Sequence, residues 1–121
     1  MTIWVWAAVA LLGGTGAVAR FVLDAAIGAR GGREYPYGTL AVNASGALLL
    51  GLLTGLAVSG NALLLAGTAT LGSYTTFSTW MLETHRMRED ARFRPALANV
   101  IVSLAFGIGA AALARALGAQ L

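Results

Sequence analysis

The chain has 121 residues, of which 58% are hydrophobic and only 11% charged. A soluble domain carries about 25% charged residues and at this length hides only about two-thirds of its surface, so the apolar surplus must face lipid or other subunits. That excludes a soluble enzyme, a disordered tail and, with no cysteine, a disulfide scaffold, and it leaves a small integral membrane protein.

Charge-free stretches mark the spans. Met1 to Ala19 carries no charge, and the apolar run continues past Arg20 through Leu23, which predicts a first helix over about 3–27. It lacks the basic start and cleavage site of a signal peptide. Tyr35 to Leu82 is a second charge-free stretch, 48 residues long. As one helix, at about 1.5 Å per residue, it would reach roughly 72 Å, more than twice a hydrocarbon core of about 30 Å. It therefore folds back at the turn signal Ser59-Gly60-Asn61, giving helices over about 37–58 and 62–84. Pro95, suited to a first helical turn, opens a fourth helix over about 95–117. Residues 1–121 thus read as one all-α, four-helix transmembrane domain without internal repeats, multi-pass in the cell membrane.

All eight basic residues are Arg, and the net charge is +3. They form no continuous basic face for nucleic acid. Six of them, Arg30, Arg33, Arg86, Arg88, Arg92 and Arg94, fall in the 28–36 and 85–94 loops, whereas only Arg115 lies near the other side. This bias predicts that the two loops are cytoplasmic.

Uncharged polar residues concentrate inside the spans. Ser73 to Thr79 holds five aliphatic hydroxyls and a tyrosine beside Gly72. Isolated hydroxyls bond back to the preceding turn, but a cluster this dense predicts a broken helix, tolerated at membrane depth only in protein or beside a wet cavity. Such a break frees N–H groups for an anion and C=O groups for a cation. Phe77 and Trp80, three apart, share a face if the helix resumes; their ring edges suit an anion, or they pack ordinarily. Thr39 and Asn43 lie at i and i+4 in the second span, as Asn99 and Ser103 do in the fourth. Either pair is interhelical glue or part of a narrow polar track. The 16 glycines, with Gly51-x-x-x-Gly55 among them, predict close helix packing and an oligomer. No acidic residue lies deep in a span, since Asp24 and Glu83 fall near helix ends, which disfavours a proton-coupled multidrug-type exporter. His85 falls in a basic loop, and no nucleophile–base pair or metal cluster supports an enzyme. A non-transporting assembly subunit would account for the glycines but not for the polar centre.

Gly13-Gly14-x-Gly16-Ala17-x-x-Arg20, Pro36-x-Gly38-Thr39-Leu40-x-Val42-Asn43-x-x-Gly46 and Gly72-x-x-Thr75-Thr76-Phe77-Ser78-Thr79 resemble, in order and spacing, the CrcB/Fluc family of fluoride channels. The resemblance covers the first three helices and is compatible with the fourth. It implies an antiparallel, dual-topology dimer whose two pores export cytoplasmic fluoride passively and so lower its toxicity, with the third helix broken at its middle. It also implies a structural Na+ on the dimer axis, held by the backbone carbonyls of Gly72 and Thr75 of both subunits. The implied pore residues are Asn43, the aromatic pair Phe77 and Trp80, the polar-track residues Thr39, Thr79 and Ser103, and the vestibule residue Arg20. Two positions depart from the family. Trp80 stands where phenylalanine is usual, and its N–H either meets fluoride directly or its bulk narrows the path. Ser73-Tyr74 replaces the small or apolar residues usual beside the ion. The strong arginine bias also raises a pairing alternative: an oppositely oriented homologue in place of a second identical copy.

Overall fold

A computed structural model describes residues 1–32 and 34–121, so the expectation for Arg33 falls outside the described residues. The described chain is all helical. Helix α1 spans Ile3–Gly31, α2 Tyr37–Gly55 and α6 Phe93–Ala119. These three are long and apolar enough to cross a membrane. Between α2 and α6 no single helix covers 62–84. The chain instead runs through α3 (Gly60–Leu63), a π-helical stretch (Leu64–Leu71), the short α4 (Gly72–Tyr74) and, after Thr75–Phe77, α5 (Ser78–Glu89).

Helix ends follow local chemistry. Thr2 caps α1, its hydroxyl accepting from the Val5 N–H at 3.3 Å. The helix then runs past 27, through Arg30, and stops at Gly32, whose φ of +79° suits a residue without a Cβ. Helix α2 ends at Gly55, earlier than the expected 58, because Ala57 takes a φ of +60° and closes the helix with a bond from the Val58 N–H to the Leu53 carbonyl. Ala91, at φ +58°, ends α5 in the same way, with the Arg92 N–H on the Met87 carbonyl at 2.8 Å. Helix α6 begins at Phe93, two residues ahead of Pro95, and the proline still lies within the first turn.

Small residues set the packing between α2 and α6. A Cβ on Gly51 would strike the Ala111 carbonyl oxygen, and one on Gly55 the Arg115 carbonyl oxygen. Gly118 returns the contact against the α2 backbone at Leu52 and Leu56. Gly16 does the same between α1 and the third region (residues 60–89), against Thr70 of the π-helical stretch and Ser73 of α4, whereas Gly14, Gly107 and Gly109 face open space. The buried hydrophobic residues are mostly small, among them Val42, Ala69, Ala96 and Ala114, while Ile3, Trp4, Leu11, Phe21 and Ile108 stand about two-thirds or more exposed. An apolar exterior around so slight a core is what a lipid-facing bundle requires.

Candidate functional site

The site forms where the third region loses its helix. Thr75 adopts extended backbone, with φ −79° and ψ 162°, so the Thr76 N–H cannot reach the carbonyl of Gly72 and turns to a side chain. Asn43, from the middle of α2, meets it. Its Oδ1 accepts from the Thr76 N–H and its Nδ2 donates to the Thr76 carbonyl, both at 2.8 Å. One carboxamide thereby satisfies both backbone polar groups of Thr76, the N–H of one peptide and the C=O of the next, as a break at membrane depth demands. The Thr76 hydroxyl then accepts from the Thr79 N–H at 3.2 Å and donates to the Thr79 hydroxyl, restarting the helix as α5. On the other side of the break, the Tyr74 and Ser45 hydroxyls meet at 2.9 Å. Tyr74 is therefore tied to α2, and Ser73 bonds back to Ala69 and Thr70.

Two hollows flank this peptide. An open groove of about 690 Å³ is lined by Asn43, Gly72, Thr75, Phe77, Trp80 and Ser103. A smaller cavity of about 230 Å³ gathers Arg20, Asp24, Thr39 and Thr79. Thr76 lines both, so the braced peptide is the partition between them. The candidate residues read from the sequence thus fall into two groups, with Asn43, Phe77, Trp80 and Ser103 on the groove and Arg20, Thr39 and Thr79 in the inner cavity. The bridging position of Thr76 escaped residue-by-residue reading, because within a run of five hydroxyls nothing in the sequence distinguishes it.

Phe77 is 69% exposed and meets Trp80 edge-on, with ring centroids 5.8 Å apart and planes at 89°. The Trp80 indole N–H does not face the groove. It donates to the backbone carbonyl of Asn99 on α6 at 3.0 Å. Asn99, 1% exposed, donates through Nδ2 to the Thr84 hydroxyl at 2.8 Å, and Thr84 donates to the Trp80 carbonyl at 2.9 Å. Asn99 and Ser103 thus diverge despite their i, i+4 spacing. Ser103 lines the groove, whereas Asn99 is spent on the α5–α6 contact.

Acidic groups come closer than their positions near helix ends suggest. Because α1 continues to Gly31, Asp24 lies inside it rather than at its end, and its carboxylate packs where a Cβ on Gly38 would sit. The buried Thr39 hydroxyl donates to the Glu83 carboxylate. Asp24 also lines an outer cavity of about 560 Å³, together with Glu34, Tyr35, Glu83, Arg86 and Arg92. In the loop between α1 and α2, burial and then the neighbouring Tyr37 push the Tyr35 phenol above its ordinary value. Asp24 lines both this outer cavity and the inner one, so the two adjoin on the loop side of the break.

Gly72 and Thr75 both line the groove. The carbonyl of Gly72 is released from its helical donor by the turn of Thr76 toward Asn43. Neutral carbonyl oxygens of this kind suit a hard cation. The Thr75 carbonyl has a cationic neighbour instead, the Arg20 guanidinium at a long 3.5 Å.

Comparison with known proteins places residues 7–115 in the profile of "CrcB-like protein, Camphor Resistance (CrcB)". A protein of Mycolicibacterium paratuberculosis named "Fluoride-specific ion channel FluC 2" is 60% identical over 111 residues, covering 92% of this chain and 90% of its own. The FluC 2 protein of Mycobacterium tuberculosis H37Rv is 52% identical over 115 residues, 95% of this chain and 91% of its own. "Fluoride-specific ion channel FluC 1" of Symbiobacterium thermophilum is 44% identical over 119 residues, covering 93% and 96%.

Proposed function

Because the chain belongs to the CrcB family, we propose that it is the subunit of a fluoride-selective channel that lets cytoplasmic fluoride leave the cell passively. It is a multi-pass membrane protein and a channel rather than an enzyme, as its relatives named fluoride-specific ion channels are. The observation that carries the reading is the Thr76 peptide, which is braced by Asn43 and bordered by both hollows. A small anion gives up its water only where hydroxyls, amide N–H groups and ring edges replace it, and this site gathers all three. Asn43 has a second amide hydrogen beyond the one given to Thr76, directed from a residue that lines the groove.

In this reading α3, the π-helical stretch, α4 and α5 make one discontinuous third span. The 121 residues form a single four-helix domain, and the groove, open in one chain, is closed by a second subunit in antiparallel orientation. The aromatic pair, Asn43 and Ser103 then line the ion path, with Thr39, Thr79 and Arg20 at its inner end. Na+ on the dimer axis is supported by the freed Gly72 carbonyl; at Thr75 the Arg20 guanidinium competes for the same oxygen. When bound, the ion supplies only a fixed positive charge, while this chain's part is to hold the carbonyls in place through Asn43. Identical copies make the simplest dimer. An oppositely oriented homologue is favoured by the arginine bias, since a chain that inserts both ways needs a weak one.

Fluoride efflux from proteoliposomes holding the chain alone tests the assignment. Rapid, fluoride-selective efflux is expected, and it would also dispose of an obligatory heteromer. No efflux, either alone or with a co-reconstituted homologue, overturns the channel.

A further inference from the structure

The Trp80 side chain lines the groove but turns its polar group away from it. Its ring borders the groove, yet its N–H is held by the backbone carbonyl of Asn99 at 3.0 Å. Around that bond runs a closed loop in which Asn99 Nδ2 donates to Thr84, and Thr84 donates to the Trp80 carbonyl. Asn99 is 1% exposed and its Oδ1 finds no donor among the described residues. A buried acceptor left unpaired costs free energy, so the site bears a penalty to keep this amide where it is. Trp80 in turn stands at 89° to Phe77, an orientation that a loosened indole would not keep.

We propose that Asn99 and Thr84 are positioning residues. They pin the indole N–H to α6, so that Trp80 offers the ion path a ring edge and not a hydrogen-bond donor. The inference rests on the reading of Phe77 and Trp80 as pore-lining. Its physical sense is that conduction needs sites tight enough to enter and weak enough to leave. An indole N–H is a full donor and would hold fluoride more firmly than polarised C–H edges do. Tethering the N–H keeps the larger ring while withholding the stronger ligand, which answers how a tryptophan can occupy a position where a phenylalanine would serve.

The test uses the full chain in nanodiscs with 15N-labelled indoles, the Trp80 signal being identified by its absence from Trp80→Phe. On titration with sodium fluoride, against sodium chloride at equal strength, the Trp80 N–H signal is expected to stay in place. In Thr84→Val the signal should move even without fluoride. Fluoride efflux of Thr84→Val should fall by about tenfold, the equivalent of one added hydrogen bond holding the ion at the freed N–H. Thr84→Ser, which keeps the hydroxyl, should restore both. A saturable fluoride-dependent shift of the native signal, or native-like efflux in Thr84→Val, overturns the proposal. If the native chain carries no fluoride, the channel reading fails by that result, and an indole signal unmoved by Thr84→Val separately refutes the tether.

Discussion

Asn43 and Thr76 lie 33 residues apart and exchange two hydrogen bonds of 2.8 Å, one in each direction. The pairing mimics a strand ladder with a side chain in place of the second backbone. It explains how three non-helical residues persist between α4 and α5 without water. Asn43→Asp replaces the Nδ2 donor with a carboxylate oxygen facing the Thr76 carbonyl. The expected result is destabilisation of about 1–3 kcal/mol in detergent melting, with fluoride efflux reduced at least about tenfold. Asn43→Asp that melts and conducts like the native protein would remove the brace from the account.

The close approach of α2 and α6 makes a second, purely structural prediction. Gly51→Leu drives a side chain into the Ala111 backbone, which has no rotamer to yield. It should cost about 3 kcal/mol or more and show as loss of monodisperse protein on gel filtration. Gly14→Ala, with nothing within 4 Å of the new Cβ, should instead be neutral or stabilise α1 by about 0.5–1 kcal/mol. Equal behaviour of the two variants would deny that Gly51 sets the interhelical distance.

Much of this arrangement is legible in the chain because charge and polarity are so scarce in it. The charge-free runs locate the helices, the seven-residue hydroxyl-rich segment contains the non-helical Thr75–Phe77, and Gly51-x-x-x-Gly55 marks a true backbone contact. Helix ends are less legible where charge serves as the boundary marker. Asp24 and Arg30 sit inside α1, which continues past them to Gly31. The π-helical register of Leu64–Leu71 has no signature in apolar residues that suit either helix type. The direction of the Trp80 N–H and the separation of Asn99 from Ser103 depend on how α5 meets α6, which periodicity within one helix does not encode.

Two alanines hold backbone that glycine adopts more readily. Ala57 and Ala91, at φ of +60° and +58°, close α2 and α5 in the left-handed region, where a Cβ costs about 1 kcal/mol. Ala57→Gly and Ala91→Gly are each expected to raise the melting temperature, with a gain of about 0.5–1 kcal/mol and no change in efflux, since neither residue lines the groove or the inner cavity. A loss of stability in both would show that these turns are set by something other than local backbone preference.

Arg20 supplies the last and most physical test of direction. It is the basic side chain of the inner cavity, which it lines together with Thr39, Thr79 and Asp24. A guanidinium in a narrow hollow concentrates anions, and that effect is screened by salt, with a Debye length of about 30 Å at 0.01 M and about 8 Å at 0.15 M. Arg20→Gln should therefore lower fluoride efflux by about three- to tenfold at low ionic strength and by less at high. Arg20→Lys, which keeps the charge but loses the planar fork that reaches Thr75, should retain most of the flux while melting lower. Efflux from Arg20→Gln that is reduced equally at all salt concentrations would assign Arg20 to holding the Thr75 carbonyl, and an electrostatic role at the mouth would be excluded.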